Sequence, residues 1–550
     1  MKRLKKLAIA LAMTFCISSP YYVLAENSVA NEFNITQPYM TGLKFSTDEE
    51  IEAFLASFPE EEKIPLEKLR SLPSSVDISQ SPYFPDQIGN QESVGSCTSW
   101  ATTYYQFTYE VNRLNNVPWT GNSTTASPRW TYSLNCNGAN IATSIPGNYF
   151  ALRNQGAVNF EDFPDADGED FYRIWYDDVE VMTDALSTRI TNVDSFDVTD
   201  IGNTPVSSPS SSALTDIKNA LANGKPLLMA TQSINGLSNW NIITQNGVKY
   251  AFRCTQASNG HAMLIVGYDD NITLDINENG SIESGERGAF KVVNSWGDSW
   301  GNSGFIWLMY DAMNPVTSVS GDWESDYYYT NRINAFNEDL FYIDVNNLAV
   351  NLVGKLTFNT TYRNQLSLCV SRSLTTVYDS IHSKSLLLYN SSRQSNPSSY
   401  NGSIVFDYTS QHLVNDCTTP NTPSTNLANP ISSFYTGYYW FIRVRDTRTD
   451  SHALENVSFE IMDNKQNTVK NFGQITSSID GTVVTESRQI NLLKGDVNYD
   501  SQLTQAEVNI VSSIAIHNYS ESNLQFFLAD MNGDGNVNVQ DVSILAKTIL

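Results

Sequence analysis

Histidine is scarce in this 550-residue chain: there are five, and only His261 precedes residue 382. A histidine base anywhere in the first two thirds of the chain therefore has one candidate. Basic side chains are also short, with 33 Lys and Arg against 59 Asp and Glu and a net charge of -26. Binding a phosphate backbone needs clustered Lys and Arg, so nucleic acid is excluded as a partner. Cys16, Cys97, Cys136, Cys254, Cys369 and Cys417 are too few for a disulfide-built scaffold. Cys369 and Cys417 are placed to pair within one domain, but sequence leaves the connectivity open. Past the first residues no apolar run approaches the roughly eighteen residues a spanning helix needs, so no transmembrane segment is expected.

What is present begins with a secretory leader. Lys2, Arg3, Lys5 and Lys6 precede the apolar run Leu7 to Ile17, and Val23-Leu-Ala25 is a small-residue cleavage site. Residues 1–25 are read as a signal peptide and the mature protein as secreted. The length calls for several domains. In 26–71, Thr47-Asp-Glu-Glu50 is a capping box ahead of Ile51, Phe54, Leu55 and Phe58 on one helical face. This short helix reads either as part of an inhibitory pro-segment over a cleft or as an ordinary packed helix. Residues 72–315 place helical patterns first and apolar, β-branched runs such as Ala262–Tyr268 and Phe290–Asn294 later, an α+β layout. Residues 336–491 alternate with period two between turn signals and read as a β-sandwich-like accessory domain.

Residues 494–550 contain a repeat. Asp496, Asn498, Asp500, Gln502, Thr504 and Glu507 recur as Asp530, Asn532, Asp534, Asn536, Asn538 and Asp541. Oxygens at loop positions 1, 3, 5, 7 and 9, with a carboxylate at 12, suit a seven-coordinate calcium ion, and position 7 acts through its backbone carbonyl. Each loop runs into a helix. A third loop has Asp275, Asn277 and Asn279, Gly280 at position 6 and Glu286 at position 12, but strand-like flanks. It reads as a calcium-clamped hairpin.

The nucleophile candidate is Cys97, in Gly95-Ser96-Cys97 at the start of a helical pattern, where free N–H groups favour a thiolate. His261 lies at the mouth of a buried strand. Asn294 ends another strand and Trp296 comes two residues later. An asparagine oxygen accepting from the histidine Nδ1–H would fix the ring, and an indole over that bond would keep water off it.

Cys97, His261 and Asn294 in that order, Gln91 six residues before Cys97, Gly260-His-Ala, and Asn294-Ser-Trp-Gly with Trp300-Gly301 resemble the papain family of cysteine peptidases over roughly 72–310. The resemblance implies that Cys97 attacks a peptide carbonyl, that His261 is its ion-pair partner and that Asn294 orients His261. It further implies that Gln91 and the Cys97 N–H form an oxyanion hole and that Trp296 shields the Asn–His contact. Thr98 stands where the family usually has Trp, and Val94 where it often has Cys. The stretch that pairs with substrate backbone has two registers, Gly138-Ala139 and Ala142-Thr143-Ser144.

The twin loop–helix units resemble a dockerin module. That implies two bound calcium ions and docking to a cohesin on a cellulosome-type scaffold, with Gln505-Ala506 and Val539-Gln540 contributing to partner choice. Together these features read as a secreted endopeptidase carried to a scaffold, acting on protein or peptide substrates. An inactive papain-fold binding module and a transglutaminase-like acyl transferase are the alternatives.

Overall fold

The computed structural model describes residues 40–58, 65–136, 138–174, 176–198, 212–232, 240–255, 259–314, 317, 319, 332–360, 366–373, 383–386, 400–407, 409, 439–446, 454–479, 483–489, 493–517 and 519–550. The leader, residues 26–39, His382, His412, His452 and the pairing of Cys369 with Cys417 lie outside what is described. Among the described residues no helix is long and apolar enough to cross a membrane.

The first domain is α+β. Its helices are α1 (Asp48–Ala56), α2 (Cys97–Ser99), α3 (Thr108–Asn115), α4 (Pro128–Asn135), α5 (Ile145–Gln155), α6 (Asp170–Arg173), α7 (Val179–Ala185) and α8 (Ser212–Ala222). Between α2 and α3, Trp100–Phe107 is π-helical. The expected capping box at Thr47 forms, with the Thr47 hydroxyl accepting from Glu50 N–H and the Glu50 carboxylate from Thr47 N–H. Asn223-Gly224 ends α8 as its sequence requires, with Gly224 at φ 74°.

The strands are β1 (Ser75–Asp77), β2 (Thr188–Phe196), β3 (Leu227–Gln232), β4 (Trp240–Gln245), β5 (Val248–Thr255), β6 (Gly260–Thr273), β7 (Arg287–Val293), β8 (Phe305–Met309), β9 (Arg332–Ile333) and β10 (Leu340–Asn347). They form one sheet in the order β2-β10-β3-β6-β7-β8-β5-β4, with β1 on β6 and β9 on β5. The sequence pattern places the start of the β-rich domain at 336, yet β10 pairs along its whole length with β2 and touches β3. Its residues, Leu-Phe-Tyr-Ile-Asp-Val, give the physical reason: Leu340, Phe341, Tyr342 and Ile343 are all buried, as a strand inside a sheet covered on both faces must be.

Beyond β10 come β11 (Val353–Thr360), β12 (Leu366–Ser373), β13 (Ser383–Leu386), β14 (Tyr400–Asp407), β15 (Tyr439–Asp446), β16 (Leu454–Met462), β17 (Thr468–Ile479) and β18 (Val483–Gln489). They make two four-stranded antiparallel sheets, β14-β11-β16-β17 and β13-β12-β15-β18. Ile442 and Val444 of one sheet share a core with Leu356, Phe406 and Phe459 of the other. A buried ion pair joins Arg189 on β2 to Asp407 on β14. The last sixty residues hold α9 (Gln505–Ala515), α10 (Asn523–Ala529) and α11 (Val539–Thr548).

Candidate active site

The Gln91–Cys97 turn is held from below by the segment around Asn294. Asn90 bridges Trp296 antiparallel, Gln91 N–H donates to Ser295 O (2.9 Å), and Gly297 N–H donates to Gly89 O (2.9 Å). The turn then tightens through Ser96 N–H to Val94 O (2.8 Å) and Gly95 N–H to the Asn140 side chain (2.7 Å). That delivers Cys97 as the first residue of α2, wholly buried. His261 is the second residue of β6, paired with Thr231 on β3. Asn294 is the residue just past β7.

Asn294 Oδ1 accepts from His261 Nε2 at 2.8 Å and from Ser295 N–H at 2.8 Å. This corrects the sequence expectation, which used Nδ1. The ring enters from the end of β6 with Nε2 toward β7, so Nδ1 is buried without a hydrogen-bond partner. Trp296 lies over the histidine with ring centroids 4.7 Å apart and planes 30° apart. Gln91 is buried; its Oε1 accepts from Ser295 Oγ (2.7 Å) and one Nε2–H is spent on Val94 O (2.8 Å). Gly95 and Ser96 act through the turn's backbone, and Ser96 Oγ is buried without a partner.

The cleft beside Cys97 contains part of the chain itself. Gly42 N–H donates to Cys97 Sγ at 3.1 Å. Leu43 N–H donates to Gly260 O (3.1 Å), Lys44 N–H to Thr143 O (3.0 Å), and Thr143 N–H to Gly42 O (2.9 Å). Leu43 thus pairs parallel with Thr143 and antiparallel with Gly260. Of the two open registers, Ala142-Thr143-Ser144 is the one that pairs with this segment. Upstream, Trp296 Nε1–H donates to Met40 O (3.1 Å). Thr98, the departure from the family pattern, supports the same segment, its hydroxyl lying 3.1 Å from Thr143 O and 3.3 Å from Gly42 O. A Cβ on Gly42 would stand 1.8 Å from Gly95 O, so the segment passes only as glycine. Downstream, α1 is anchored on α5: Phe54 stacks on Tyr149 and the Arg153 guanidinium lies over Phe58. The helix packs on the domain, and the residues just before it enter the cleft.

Dryness sets the protonation. Burial pushes the Cys97 thiol up to about 11, against the opposing pull of the Ala262 and Gly42 N–H groups. Burial likewise pushes His261 down to about 4, although its bond to Asn294 favours the cation. Burial thus favours the neutral form of both groups.

The three calcium-type loops share one internal pattern. Position 1 (Asp275, Asp496, Asp530) accepts the N–H of position 5 on one oxygen and of position 6 on the other. Position 12 (Glu286, Glu507, Asp541), fully buried each time, accepts the N–H of position 9. Positions 4 and 6 have positive φ in all three. The middle positions, Asn277, Asn279, Asn498, Asp500, Asn532 and Asp534, aim side-chain oxygens at backbone N–H groups of their own loop. Among the described residues no group of three His, Cys, Asp or Glu stands close enough to hold a metal. The converging donors are carboxylate, amide and backbone oxygen, which fits a hard cation. Gln505, Ala506, Val539 and Gln540 are exposed at the heads of α9 and α11.

Sequence reasoning missed Gly42, Ser295 and Tyr105. Gly42 lies in an unpatterned stretch, and its partner is 55 residues away.

Compared with known proteins, the chain matches the model of the papain family cysteine proteases over 72–320 and that of the dockerin type I domain over 494–550. No curated protein matches it. Similar solved structures include xylellain, a cysteine protease from Xylella fastidiosa, at 18% identity over 56% of this chain and 96% of that one (TM-score 0.35). The bromelain protease from Ananas comosus is 15% identical over 50% and 99% (0.31), and digestive procathepsin L 3 of Tenebrio molitor 14% over 54% and 78% (0.33).

Proposed function

Since residues 72–320 are a papain family cysteine protease domain and residues 494–550 a dockerin type I domain, we propose that this chain is a secreted, latent endopeptidase that docks by calcium-dependent cohesin binding to an extracellular, cellulosome-type scaffold. The observation that carries the peptidase role is His261, tied through Nε2 to Asn294 at 2.8 Å beneath Trp296, with Nδ1 buried and making no hydrogen bond.

Once Met40–Phe45 leaves, water raises the local dielectric and the Cys97 proton passes to His261 Nδ1. The thiolate attacks the scissile carbonyl. The oxyanion so formed takes the Cys97 N–H and the Gln91 Nε2–H not spent on Val94 O. His261 then protonates the departing amine, and water, deprotonated by His261, hydrolyses the thioester. Asn294 holds the ring through both proton transfers. Digestion of an unstructured protein such as casein tests this: new N-termini support it, whereas crosslinks without new termini indicate acyl transfer and overturn it.

Latency has a second hold outside the family-matched residues. Ser46 N–H donates to Glu338 Oε1 at 2.5 Å, and Oε2 is buried without a partner. Burial, together with Asp339, Glu50 and Asp48, pushes the Glu338 carboxyl up to about 8 despite the Ser46 N–H. Released into water it would titrate in the ordinary carboxylate range, so seating the segment takes up a proton. The hold is therefore full in acid and is lost progressively as pH rises from the ordinary carboxylate range toward about 8. Glu338→Gln is expected to stay latent at pH 8, at least about tenfold below wild type in activity on a short peptide, with little difference near pH 5. Equal activity of the two at pH 8 would remove Glu338 from the hold.

Calcium, when bound, supplies charge neutralisation and cross-linking within each loop. Its ligands in the dockerin would be Asp496, Asn498, Asp500, Gln502, Thr504 and Glu507, and Asp530, Asn532, Asp534, Asn536, Asn538 and Asp541. In the β6–β7 hairpin they would be Asp275, Asn277, Asn279 and Glu286. That hairpin joins the strand of His261 to the strand that ends before Asn294, so its loop is expected to stiffen the site. Calorimetric titration should give three ions per chain, and two for Asp275→Ala. A chelator should lower the melting temperature of the first domain in wild type alone. Two ions in both proteins would restrict calcium to the dockerin.

A further inference from the structure

Tyr105 is the eighth residue after Cys97 on the same run of helix, and it is 1% exposed. Its ring stacks on Phe84, with centroids 5.7 Å apart and planes 7° apart, and meets Tyr104 edge-on. The packing leaves the hydroxyl one place to go. There it accepts from Gly89 N–H at 2.8 Å and donates to Asn294 O at 3.0 Å. Gly89 lies two residues before Gln91, and Asn294 is followed directly by Ser295 and Trp296. The isolated Asn90–Trp296 bridge joins these two segments, but it does not pair Gly89 N–H with Asn294 O. Without the hydroxyl, both groups would be buried orphans.

We propose that Tyr105 is a positioning residue of the peptidase site: one hydroxyl fixes the helix that begins at Cys97 against both the segment of Gln91 and the segment of Asn294. The proposal rests on the catalytic roles of Cys97, His261, Asn294 and Gln91 in the peptidase reading. The helix is π-helical from Trp100 to Phe107. A widened turn rotates the residues after it relative to those before it. Where Tyr105 points relative to Cys97 is therefore set by that turn, and the wide helix acquires a purpose. The three elements come from residues 89–91, 97–107 and 294–297, and among their described contacts this oxygen touches all three. Tyr105 acts through Asn294 and Gln91 and touches no reacting atom.

The test compares Tyr105→Phe with Tyr104→Phe in the full chain, each carrying Gly42→Val so that the cleft is open. Tyr104 is the control because its buried hydroxyl, on the same helix, donates to Gln87 O at 3.0 Å, away from the site. Tyr105→Phe is expected to lower kcat about tenfold or more, since small misplacements of reacting groups cost that much. KM should stay within about twofold of the parent, and the acid limb of kcat/KM should move to higher pH as the thiolate–imidazolium pair loses support. Tyr104→Phe should lower thermal stability to a similar degree while leaving kcat and the pH profile in place. A Tyr105→Phe protein with parental kcat and acid limb, whatever its melting temperature, overturns the proposal. If Tyr105→Phe does not fold, meta-fluorotyrosine at 105 keeps the shape while making the hydroxyl a stronger donor and weaker acceptor; an unmoved acid limb there overturns it equally. Absence of peptide hydrolysis in the Gly42→Val parent would instead count against the peptidase reading itself.

Discussion

Gly42→Val is expected to turn an unreactive thiol into a reactive one. Iodoacetamide should alkylate Cys97 in the full chain only slowly, because the sulfur is fully buried, is bonded by Gly42 N–H at 3.1 Å, and has its thiol pushed up to about 11. At neutral pH such a thiol is ionised to roughly one part in ten thousand. The valine Cβ would fall 1.8 Å from Gly95 O, and no rotamer moves a Cβ. The segment must lift, and overpacking of this kind costs about 1–3 kcal/mol or more. Phe54 and Ile51 on α1 stay buried, each contributing roughly 2 kcal/mol, so the helix remains docked while the segment ahead of it leaves. The alkylation rate should rise by about a hundredfold to a thousandfold, and activity on a peptide substrate should appear with it. The measurement is a timed alkylation read by intact mass, with Gly42→Ala as a milder step. Unchanged alkylation in both variants would mean that the segment does not gate the sulfur.

In the opened protein, Cys97→Ala should abolish hydrolysis, with kcat falling by roughly 10⁵-fold or more. Losing a nucleophile removes the covalent route altogether, whereas losing an oxyanion donor such as Gln91 costs about a hundredfold to a thousandfold. His261→Ala should cost nearly as much as Cys97→Ala, and the double variant little more than either, because the two act as one unit. Substrate affinity should hardly change, since Thr143 and Gly260 offer backbone groups that neither substitution touches. The check is a single-turnover assay with the variants at matched thermal stability. Residual activity within a hundredfold of the parent would require a different nucleophile. Among the described residues the other thiols free of disulfides are Cys136 and Cys254, both buried.

Much of this site is legible in the sequence. Scarcity identifies His261, and the apolar runs around it read as strands because β-branched residues fill a sheet buried on both faces. Asn294 and Trp296 are legible because an amide and an indole at a strand end suit one task. Which ring nitrogen meets Asn294 is not legible, because it depends on the direction from which β6 enters. Gly42 is invisible for another reason: its requirement comes from Gly95, far along the chain, and a lone glycine in an unpatterned stretch carries no periodic signal. The capping box at Thr47 is clear, being local, whereas the contact one residue earlier between Ser46 and Glu338 spans 292 positions. Leu340–Asn347 reads like any accessory strand; only its partners reveal where it belongs.

That strand also orders events on the ribosome. β2 and β3 are both made more than a hundred residues before β10, which sits between them in the finished sheet. While synthesis proceeds, the sheet has a gap, and the edges of β2 and β3 lie unpaired. The gap closes only after residue 347 has cleared the exit, when the first strands of the accessory domain are already being translated. The same late segment brings Glu338 to Ser46. Completion of the sheet and arrival of Glu338 at Ser46 are thus one step in biosynthesis, and the nascent chain has no interval in which the first is present without the second.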